Sequence, residues 1–363
     1  MLDDLADDFD VSATTASSAT AVFGIAYAVG FLVAGPMAAR FGARTVLLVG
    51  LAASAVATLS VAVPDSMGGV VAVRVVQGFV IAAFAPCALV YVSQQLTPRL
   101  RAFATTALTT AFLASAVIMP MVAEPAGDGF GWRTVFVASA AALAVCAIVL
   151  AVLLDRHTPI AVPIARAFLV LPRVLGRWRM LALFGATSAV LASYVSFFTV
   201  MQLAAPSAVS DFPGGIQGIR AATLPAFAVV IVVAGLLHRA PPTGRIIGGL
   251  LLAAAAIMAA AAGQGNTFAF GLAAAVVVGA IAVTAPALVA RVVQVSAPEE
   301  TAGATALYGA FMFLGGSLGT AAATWSAPSG FGAARLVIGG IALLGSALSV
   351  VSAVRSGSAT RPA

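Results

Sequence analysis

Charged residues are scarce in this chain of 363 residues, and lysine is absent altogether. Asp, Glu, Lys and Arg together make up 8% of the chain, whereas an ordinary soluble domain carries about 25%. So few charged groups cannot cover the surface of a protein of this length with polar atoms. The composition therefore excludes an ordinary soluble protein and predicts that lipid surrounds most of the molecule.

Residues that bind metals or act as nucleophiles are also few, since the chain has two cysteines and two histidines. Cys87 and Cys146 lie inside apolar runs, where a free cysteine behaves as a small packing residue. No cluster of His, Cys, Asp and Glu lies at membrane depth, and no phosphate-binding loop is found. We therefore predict no catalytic residue, no metal and no cofactor, and a polytopic membrane enzyme is the least favoured class.

Long apolar runs are what the chain has in abundance, because 62% of its residues are hydrophobic and the mean hydropathy is +1.10. A helix that crosses a bilayer needs about 20 such residues. Eleven runs satisfy this length once the break at residues 263–266 divides the longest of them. They are 19–39, 45–63, 70–96, 102–123, 133–154, 180–203, 217–237, 246–262, 267–290, 301–323 and 334–354. The sequence therefore predicts an all-α membrane protein with 11 transmembrane helices.

Basic and acidic residues fall on opposite sides of the membrane when these runs are assumed to cross it in alternating directions. Most arginines fall in one set of loops, such as Arg40 and Arg101, and most acids fall in the other, such as Asp65 and Asp128. Cytoplasmic loops are the positive ones. We therefore predict a multi-pass protein of the cytoplasmic (inner) membrane with its N-terminus outside and its C-terminus in the cytoplasm. Arginines spread over several loops do not form the basic face that a nucleic-acid partner needs.

An internal repeat relates the two halves of the chain at an offset of 200 residues. Pro86 then aligns with Pro286 and Gln94 with Gln294, and both prolines are expected to bend their helices. Both copies run in the same direction, as in transporters whose halves are related about the membrane normal. The repeat predicts an N-terminal bundle at 1–154, a cytoplasmic linker at 155–179 and a C-terminal bundle at 180–363.

The two predicted bundles are unequal, with five spans in the first and six in the second. The run at 180–203 has no counterpart in the first half, so we predict that a first transmembrane helix is missing, through a start placed too far downstream. A natural protein of 11 spans is the alternative. In the linker, Arg166, Arg173 and Arg177 lie near one helical face, which predicts an amphipathic segment on the anionic inner leaflet.

Four short motifs, in order along the chain, resemble those of the major facilitator superfamily. Residues 35–44 read GPMAARFGAR, similar to the signature between family helices 2 and 3. Residues 74–78 read RVVQG, similar to the helix-4 motif, and residues 131–133 read GWR, similar to the opening of helix 6. Residues 306–319 resemble the helix-11 region of efflux permeases. The chain departs from the family at Ala39, where an acid is usual, and in helix 5, where Pro120 alone represents the glycine-rich antiporter motif.

This resemblance implies a fold of two pseudo-symmetric bundles and a secondary transporter. Such a protein would move a small organic solute by alternating access, with export as the expected direction. The implied partners are that solute, membrane lipid, and protons or ions as coupling species, and the implied state is a monomer. Glu124, Asp128 or the missing helix are the candidate locations of a coupling acid. A transporter-like sensor, or a truncated form without transport, remains the alternative function.

The resemblance also implies two groups of site residues. The expected cytoplasmic gate comprises Gly35, Arg40, Gly42, Arg44, Glu299 and Glu300, with the two acids pairing with Arg40 or Arg44 across the halves in the outward-facing state. The expected substrate cavity comprises Arg74, Gln77, Ser193, Tyr194, Thr199, Gln202 and Thr284.

The residues of both groups could instead have a purely structural role. Arginines occur in inner loops through membrane topology alone, and Gly42 is suited to a tight turn. Residues Ser296 to Glu299 have the pattern of a helix capping box. Arg74 could extend to the outer headgroups, as is also expected of Arg133, Arg220 and Arg335. The Ser and Thr hydroxyls could serve helix packing instead of a substrate.

Overall fold

The computed structural model describes residues 2–155, 164–204, 207–237, 240–262 and 266–353 of the chain. Over these residues the protein is built of helices without any strand, and 11 helical spans are long and apolar enough to cross a membrane. The predicted all-α membrane fold and the number of spans are confirmed. Most of the predicted linker before residue 164, and the break at 263–265, lie outside the described residues, as does the Arg166 side chain.

The first half contains five spans, one of which consists of the two helices α4 and α5, and two shorter helices, α1 and α8. Two of its turns are single glycines with positive φ, Gly42 (86°) between α2 and α3 and Gly131 (82°) between α6 and α7. Each lets the chain reverse direction with almost no loop. The helices are α1 (Leu2–Asp8), α2 (Ala13–Phe41), α3 (Ala43–Ser60), α4 (Met67–Ile81), α5 (Phe84–Gln95), α6 (Pro98–Phe130), α7 (Trp132–Leu153) and α8 (Ile164–Leu175).

The second half contains six spans and a short connecting helix. The Asn266 side chain accepts a hydrogen bond of 3.1 Å from the Ala269 N–H and so caps the helix that follows. The helices are α9 (Trp178–Ala204), α10 (Ser207–Ser210), α11 (Gly215–Leu237), α12 (Pro242–Ala262), α13 (Thr267–Val295), α14 (Thr301–Ser326) and α15 (Phe331–Ala353), with a 3-10 turn at Ala327–Ser329.

The two prolines that the repeat aligns differ in effect. The predicted span at 70–96 consists of α4 and α5, which are interrupted at Ala82 and Ala83, just before Pro86. A proline removes one backbone donor and crowds the preceding turn, which explains this break. Pro286, in contrast, lies within the uninterrupted helix α13. That Pro286 bends its helix stays a prediction, since an uninterrupted helix can be straight or bent.

The helices form two groups with a shared interface. In the first group α2 packs on α4, and α3 packs on α4, α5 and α7. In the second group α9 lies between α14 and α15, and α12 packs on α13 and α15. Contacts of α2 with α14, and of α6 with α11 and α13, join the groups. We call these groups the N-terminal and C-terminal bundles below.

Helix α8, in the predicted linker, packs against protein on its apolar side. Val170 and Val174 are buried, and Val170 lies against Gly303 of α14, while Arg173 is exposed. The helix contacts both α2 and α14. The part of the apolar surface formed by Val170 and Val174 is thus covered by the two bundles, while Leu169 is exposed, and α8 lies across one end of the interface between them.

Candidate functional site

The two ends of the molecule carry different charges, and we name them accordingly. The arginine-rich end is where α2 meets α3 and where α6, α9 and α12 begin. The acidic end is where α6 meets α7 and where α11 begins. Because successive spans alternate in direction, these two ends lie on opposite sides of the membrane.

An aromatic cluster lies where the two bundles meet. The ring of Phe313 on α14 has its centroid 4.1 Å from that of Tyr27, 5.4 Å from that of Phe31 and 5.6 Å from that of Phe112. Tyr27 and Phe31 belong to α2 and Phe112 to α6, so the cluster spans both bundles. Gly309 makes room for it, since a Cβ there would come within 2.0 Å of the Phe31 ring.

A small apolar cavity of about 50 Å³ borders this cluster. Its walls come from α2, α5 and α6 of the N-terminal bundle and from α14 of the C-terminal bundle. Most of the lining is aliphatic or aromatic, with Thr109, Thr305 and Tyr308 as its polar groups. We call it the apolar cavity; its surface suits an apolar or aromatic part of a solute.

A larger cavity of about 280 Å³ lies at the arginine-rich end, and we call it the arginine cavity. It shares Leu89 and Thr305 with the apolar cavity, so the two are neighbours along the bundle interface. Helices α5 and α6 form one wall, and α12, α13 and α14 form the other. Its polar lining consists of Ser93, Arg101, Thr105, Thr106, Arg245, Gln294 and Thr305.

The acidic end of the interface is held together by a polar contact that we call the acidic-end latch, formed by Glu124 of α6 with Gln217 and Arg220 of α11. The Gln217 amide donates to the Glu124 carboxylate, and an Arg220 nitrogen lies 3.8 Å from the same carboxylate and 3.3 Å from Gln217 Oε1. Arg220 is 7% exposed. The expectation that Arg220 extends to the headgroups is therefore wrong.

Tyr194, expected in the substrate cavity, also joins the bundles. Its hydroxyl donates to the Leu113 carbonyl of α6 across 3.3 Å, and its ring packs edge-on against Phe198. It is buried at the interface but does not line either cavity. Its position between bundles is consistent with a role in their movement, and substrate contact stays a prediction.

Arg74 and Gln77 lie within the N-terminal bundle. Arg74 donates to Gln77 Oε1 at 2.7 Å, and Gln77 donates in turn to the Thr58 hydroxyl of α3 at 2.9 Å. The guanidinium lies 4.3 Å from the centroid of the Phe23 ring. Neither residue lines the two cavities. Arg74 is thus tied to its own bundle and does not extend to the headgroups.

The other predicted cavity residues are dispersed. Thr284 donates to the Ala280 carbonyl of its own helix at 2.8 Å and lies against Gly249 of α12, which is the packing role that the alternative foresaw. Ser193 is fully buried, and its hydroxyl has no hydrogen-bond partner among the described residues. Thr199 is half-buried and Gln202 is exposed, so Gln202 and Tyr194 do not share an environment.

The predicted gate arginines serve their own bundle. Arg44 donates from Nε to the Leu154 carbonyl at 3.0 Å and from Nη2 to the Ala151 carbonyl at 2.9 Å, so it caps the end of α7. The Arg40 guanidinium lies 5.6 Å from the centroid of its neighbour Phe41. Gly35 is buried in α2, and Gly42 forms the reversal between α2 and α3.

The predicted gate acids pair with another arginine. Glu300 is 3% exposed, and its Oε1 accepts from Arg177 at 2.6 Å, at the start of α9. Its other oxygen lies 3.4 Å from the Ala297 N–H. Glu299 is exposed. The described contacts therefore contain a Glu300–Arg177 pair, and pairing with Arg40 or Arg44 in the outward-facing state stays a prediction. The capping acid is Glu300, one residue beyond the capping box that the sequence suggested.

The interface residues that sequence reasoning missed are Phe313, Arg101 and Arg245. A signal for the two arginines was present, because each lies three residues after a proline that begins a span, as PRLR at 98–101 and PTGR at 242–245. Proline at a helix start places an arginine three residues later on the first turn. The rule that arginines collect on the cytoplasmic side places both residues in loops, whereas the shared spacing places them on helices.

Two bundles of membrane-spanning helices with cavities along their interface form an architecture that many transporters share. Over the described residues, no group of three or more His, Cys, Asp or Glu side chains could hold a metal ion.

Comparison with known proteins identifies the family. The sequence profile described as Major Facilitator Superfamily matches residues 1–320. The chain belongs to the Major Facilitator Superfamily, whose members are secondary transporters and not enzymes, and the resemblance seen in the motifs is confirmed.

One curated relative and two solved structures illustrate this relationship. An uncharacterized MFS-type transporter of Mycobacterium tuberculosis is 31% identical over 117 residues, which is 32% of this chain and 20% of that protein. The human organic anion transporter MFSD10 (TETRAN) has a TM-score of 0.71 at 18% identity, covering 96% of this chain and 88% of that one. The proton:xylose symporter XylE, bound to 6-bromo-6-deoxy-D-glucose, has a TM-score of 0.71 at 14% identity, covering 95% and 89%. These two structures share the fold of this chain.

Proposed function

We propose that the protein exports a small organic solute across the cytoplasmic membrane by alternating access. The observation that carries the proposal is the asymmetry of the bundle interface. The acidic-end latch joins α6 to α11, while the arginine cavity separates the bundles at the other end. In alternating access the two halves rock about a central site and open to one side at a time. From this asymmetry we infer a state that is open towards the arginine-rich end.

The orientation of the protein in the membrane is also part of the proposal, and it is argued from the distribution of arginines between the two ends. Loops rich in arginine stay in the cytoplasm, so the arginine-rich end faces inward, the N-terminus lies outside and the C-terminus lies inside. A solute would then enter the arginine cavity from the cytoplasm. The division into bundles at 1–154 and 180–363, joined by a linker at 155–179, belongs to the same proposal, because each bundle moves as a unit.

Cysteine labelling tests this orientation. Asp65 at the acidic end and Thr97 at the arginine-rich end are both exposed, and each is replaced singly by cysteine in a variant whose Cys87 and Cys146 are alanine. A membrane-impermeant maleimide added to intact cells should label the Asp65→Cys protein and leave the Thr97→Cys protein unlabelled until the cells are opened. The reverse pattern would contradict the orientation.

Coupling to protons or ions is part of the proposed mechanism, and the relative XylE is a proton symporter by its description. Glu124 is the candidate coupling acid, since it is the carboxylate of the acidic-end latch. Binding a proton would remove the attraction to Arg220 and so weaken the contact between α6 and α11. We further propose that the protein works as a monomer in contact with membrane lipid.

Transport by the purified chain in proteoliposomes tests the proposed function. Uptake of radiolabelled benzoate, ethidium and xylose is followed with and without a proton gradient, and at least one should enter faster than in protein-free vesicles. The matched control is a Gly129→Cys, Ala222→Cys pair in the background without native cysteines, at the acidic ends of α6 and α11, which a cleavable bifunctional maleimide joins without replacing Glu124. Cross-linking should stop transport, and a reducing agent that cleaves the linker should restore it. Absence of transport for all three probes would favour a transporter-like protein without transport.

A further inference from the structure

The arginine cavity contains positive charge that the described structure does not neutralise. Arg101 of α6 and Arg245 of α12 both line it, and Arg245 is only 9% exposed. The Nε atoms of both guanidinium groups are buried and have no hydrogen-bond partner among the described residues. Arg101 donates from Nη2 to the Leu96 carbonyl at 3.2 Å, which leaves its charge uncompensated.

The rest of the cavity wall is suited to an anion. The described lining residues include hydroxyl and amide groups at Ser93, Thr105 and Gln294, and no carboxylate. A buried charge without a partner is costly, and a protein retains it where a ligand supplies the opposite charge. Guanidinium groups bind carboxylates and phosphates through two parallel hydrogen bonds, so an oxyanion is the ligand that fits.

The neighbouring apolar cavity indicates what the oxyanion is attached to. It meets the arginine cavity at Leu89 and Thr305 and is lined by Phe31, Phe112 and Phe313. A ligand with its charged group at the arginines can therefore place an aromatic or aliphatic group among these rings. This division into a polar and an apolar part is characteristic of small-molecule sites.

We propose that the arginine cavity binds the carboxylate or phosphate group of an amphipathic organic anion between Arg101 and Arg245. The inference rests on the proposed function in one respect, since it takes the anion to be the transported solute. Because the two arginines belong to opposite bundles, a bound anion attracts both walls of the cavity. Its binding therefore favours closure of the arginine-rich end, which is the shift that transport of the anion requires.

Equilibrium binding of benzoate to the purified full-length chain in detergent tests the site without requiring transport. Benzamide, which has nearly the same shape and no charge, is the matched ligand. We expect benzoate to bind, benzamide to compete poorly, and Arg245→Gln and Arg101→Gln each to weaken benzoate binding about tenfold or more. Arg99→Gln is the control variant, since Arg99 is exposed, two residues from Arg101, and does not line the cavity.

Several outcomes would overturn the proposal: no benzoate binding by the unmodified chain, equal binding of benzamide, or unchanged binding in Arg245→Gln. Should Arg245→Gln fail to fold, Arg245→Lys keeps the charge, and loss of the two-pronged contact should still weaken binding. Folding of each variant is checked by its thermal unfolding.

A lipid phosphate could supply the same oxyanion, and a separate arm of the experiment distinguishes the two sources. Benzoate binding is compared in nanodiscs of phosphatidylglycerol and of phosphatidylcholine. Similar affinities support a soluble organic anion, whereas loss of binding in phosphatidylglycerol assigns the cavity to a headgroup and overturns the proposal. If benzoate binds and no probe is transported, the proposed function is rejected and the anion site is retained. If xylose or ethidium is transported and benzoate does not bind, the anion site is rejected and the proposed function is retained.

Discussion

At the scale of single residues, the arginines of this chain carry the same charge but serve different roles, because their hydrogen-bond acceptors differ. Arg44 donates to two carbonyls at the end of α7, and Arg177 donates to the carboxylate of Glu300. Arg101 and Arg245 occur in equivalent positions on the first turn of a span and have buried Nε atoms without acceptors among the described residues. The latter two, which line one cavity, therefore have donors available for a ligand.

The Glu300–Arg177 pair leads to a prediction about stability. Glu300 is buried, so replacing Arg177 by glutamine leaves a carboxylate with a weaker partner. We expect Arg177→Gln to lower the free energy of unfolding by about 1–3 kcal/mol, the range for a hydrogen bond to a charged group, with Arg177 itself being partly exposed. Denaturant-induced unfolding in mixed micelles measures the change.

Glu299 provides the matched comparison for this pair, because it is adjacent in sequence and exposed. Glu300→Gln should destabilise the protein in the same direction as Arg177→Gln, and Glu299→Gln should change the unfolding free energy by less than about 0.5 kcal/mol. Equal effects of the two glutamate substitutions would show that the pair contributes nothing specific.

At the scale of helices, the contact between α9 and α14 depends on glycine. A Cβ at Gly315 would lie 2.1 Å from the Ser188 carbonyl oxygen, and one at Gly319 would lie 2.5 Å from that of Ala192. In both cases the obstacle is backbone, which cannot rotate away. Small residues four positions apart let two helices approach closely within a membrane, where packing rather than water drives association.

Substitution of Gly315 by alanine tests this contact. Forcing the two backbones apart should lower the free energy of unfolding by about 1–3 kcal/mol, even though alanine favours a helix over glycine. Gly340→Ala is the control, since a Cβ at Gly340 meets nothing within 4 Å and should leave stability unchanged or raise it slightly. Thermal unfolding of both variants in the same detergent makes the comparison, and a Gly315→Ala protein as stable as the control would contradict the packing argument.

At the scale of the whole molecule, the two bundles are joined by different kinds of contact along their interface. The acidic end has the acidic-end latch, the middle has the aromatic cluster, and the arginine-rich end has the arginine cavity. Hydrogen bonds at a rim can exchange with water when bundles separate, while a buried aromatic cluster resists separation by its apolar area. The interface is thus suited to opening at its ends around a persistent middle.

We predict that the acidic-end latch sets the balance between states that are open and closed at the acidic end. Glu124→Gln removes its ion pair, which for a half-exposed carboxylate contributes up to about 1 kcal/mol, or roughly a fivefold change in that balance. Spin labels on Gly129→Cys and Ala222→Cys, at the acidic ends of α6 and α11, should show a larger share of long distances in this variant. Asp128→Asn, one turn along α6 and exposed, should leave the distances unchanged. Identical distributions in both variants would contradict a controlling role.

The sequence by itself determined the class of fold, the number of spans and the family. Span length and apolar composition are local properties, because a helix in lipid must satisfy its own backbone hydrogen bonds whatever surrounds it. The motifs and the order of the spans are equally local. For these reasons the predicted all-α membrane protein of 11 spans, and its membership of the Major Facilitator Superfamily, needed no coordinates.

Only the tertiary structure decided which polar side chains meet at the bundle interface. Arg74 and Gln77 look like cavity residues in sequence, yet within one bundle Arg74 donates to Gln77 and Gln77 donates to Thr58. Arg101 and Arg245, in contrast, look like loop charges and line the same cavity. The rotation of a helix about its axis depends on its neighbours, and a turn of about 100° per residue moves a side chain from the interface to the bundle core. Composition and spacing do not determine how a helix is rotated about its axis, because this rotation is set by packing between segments far apart in the chain.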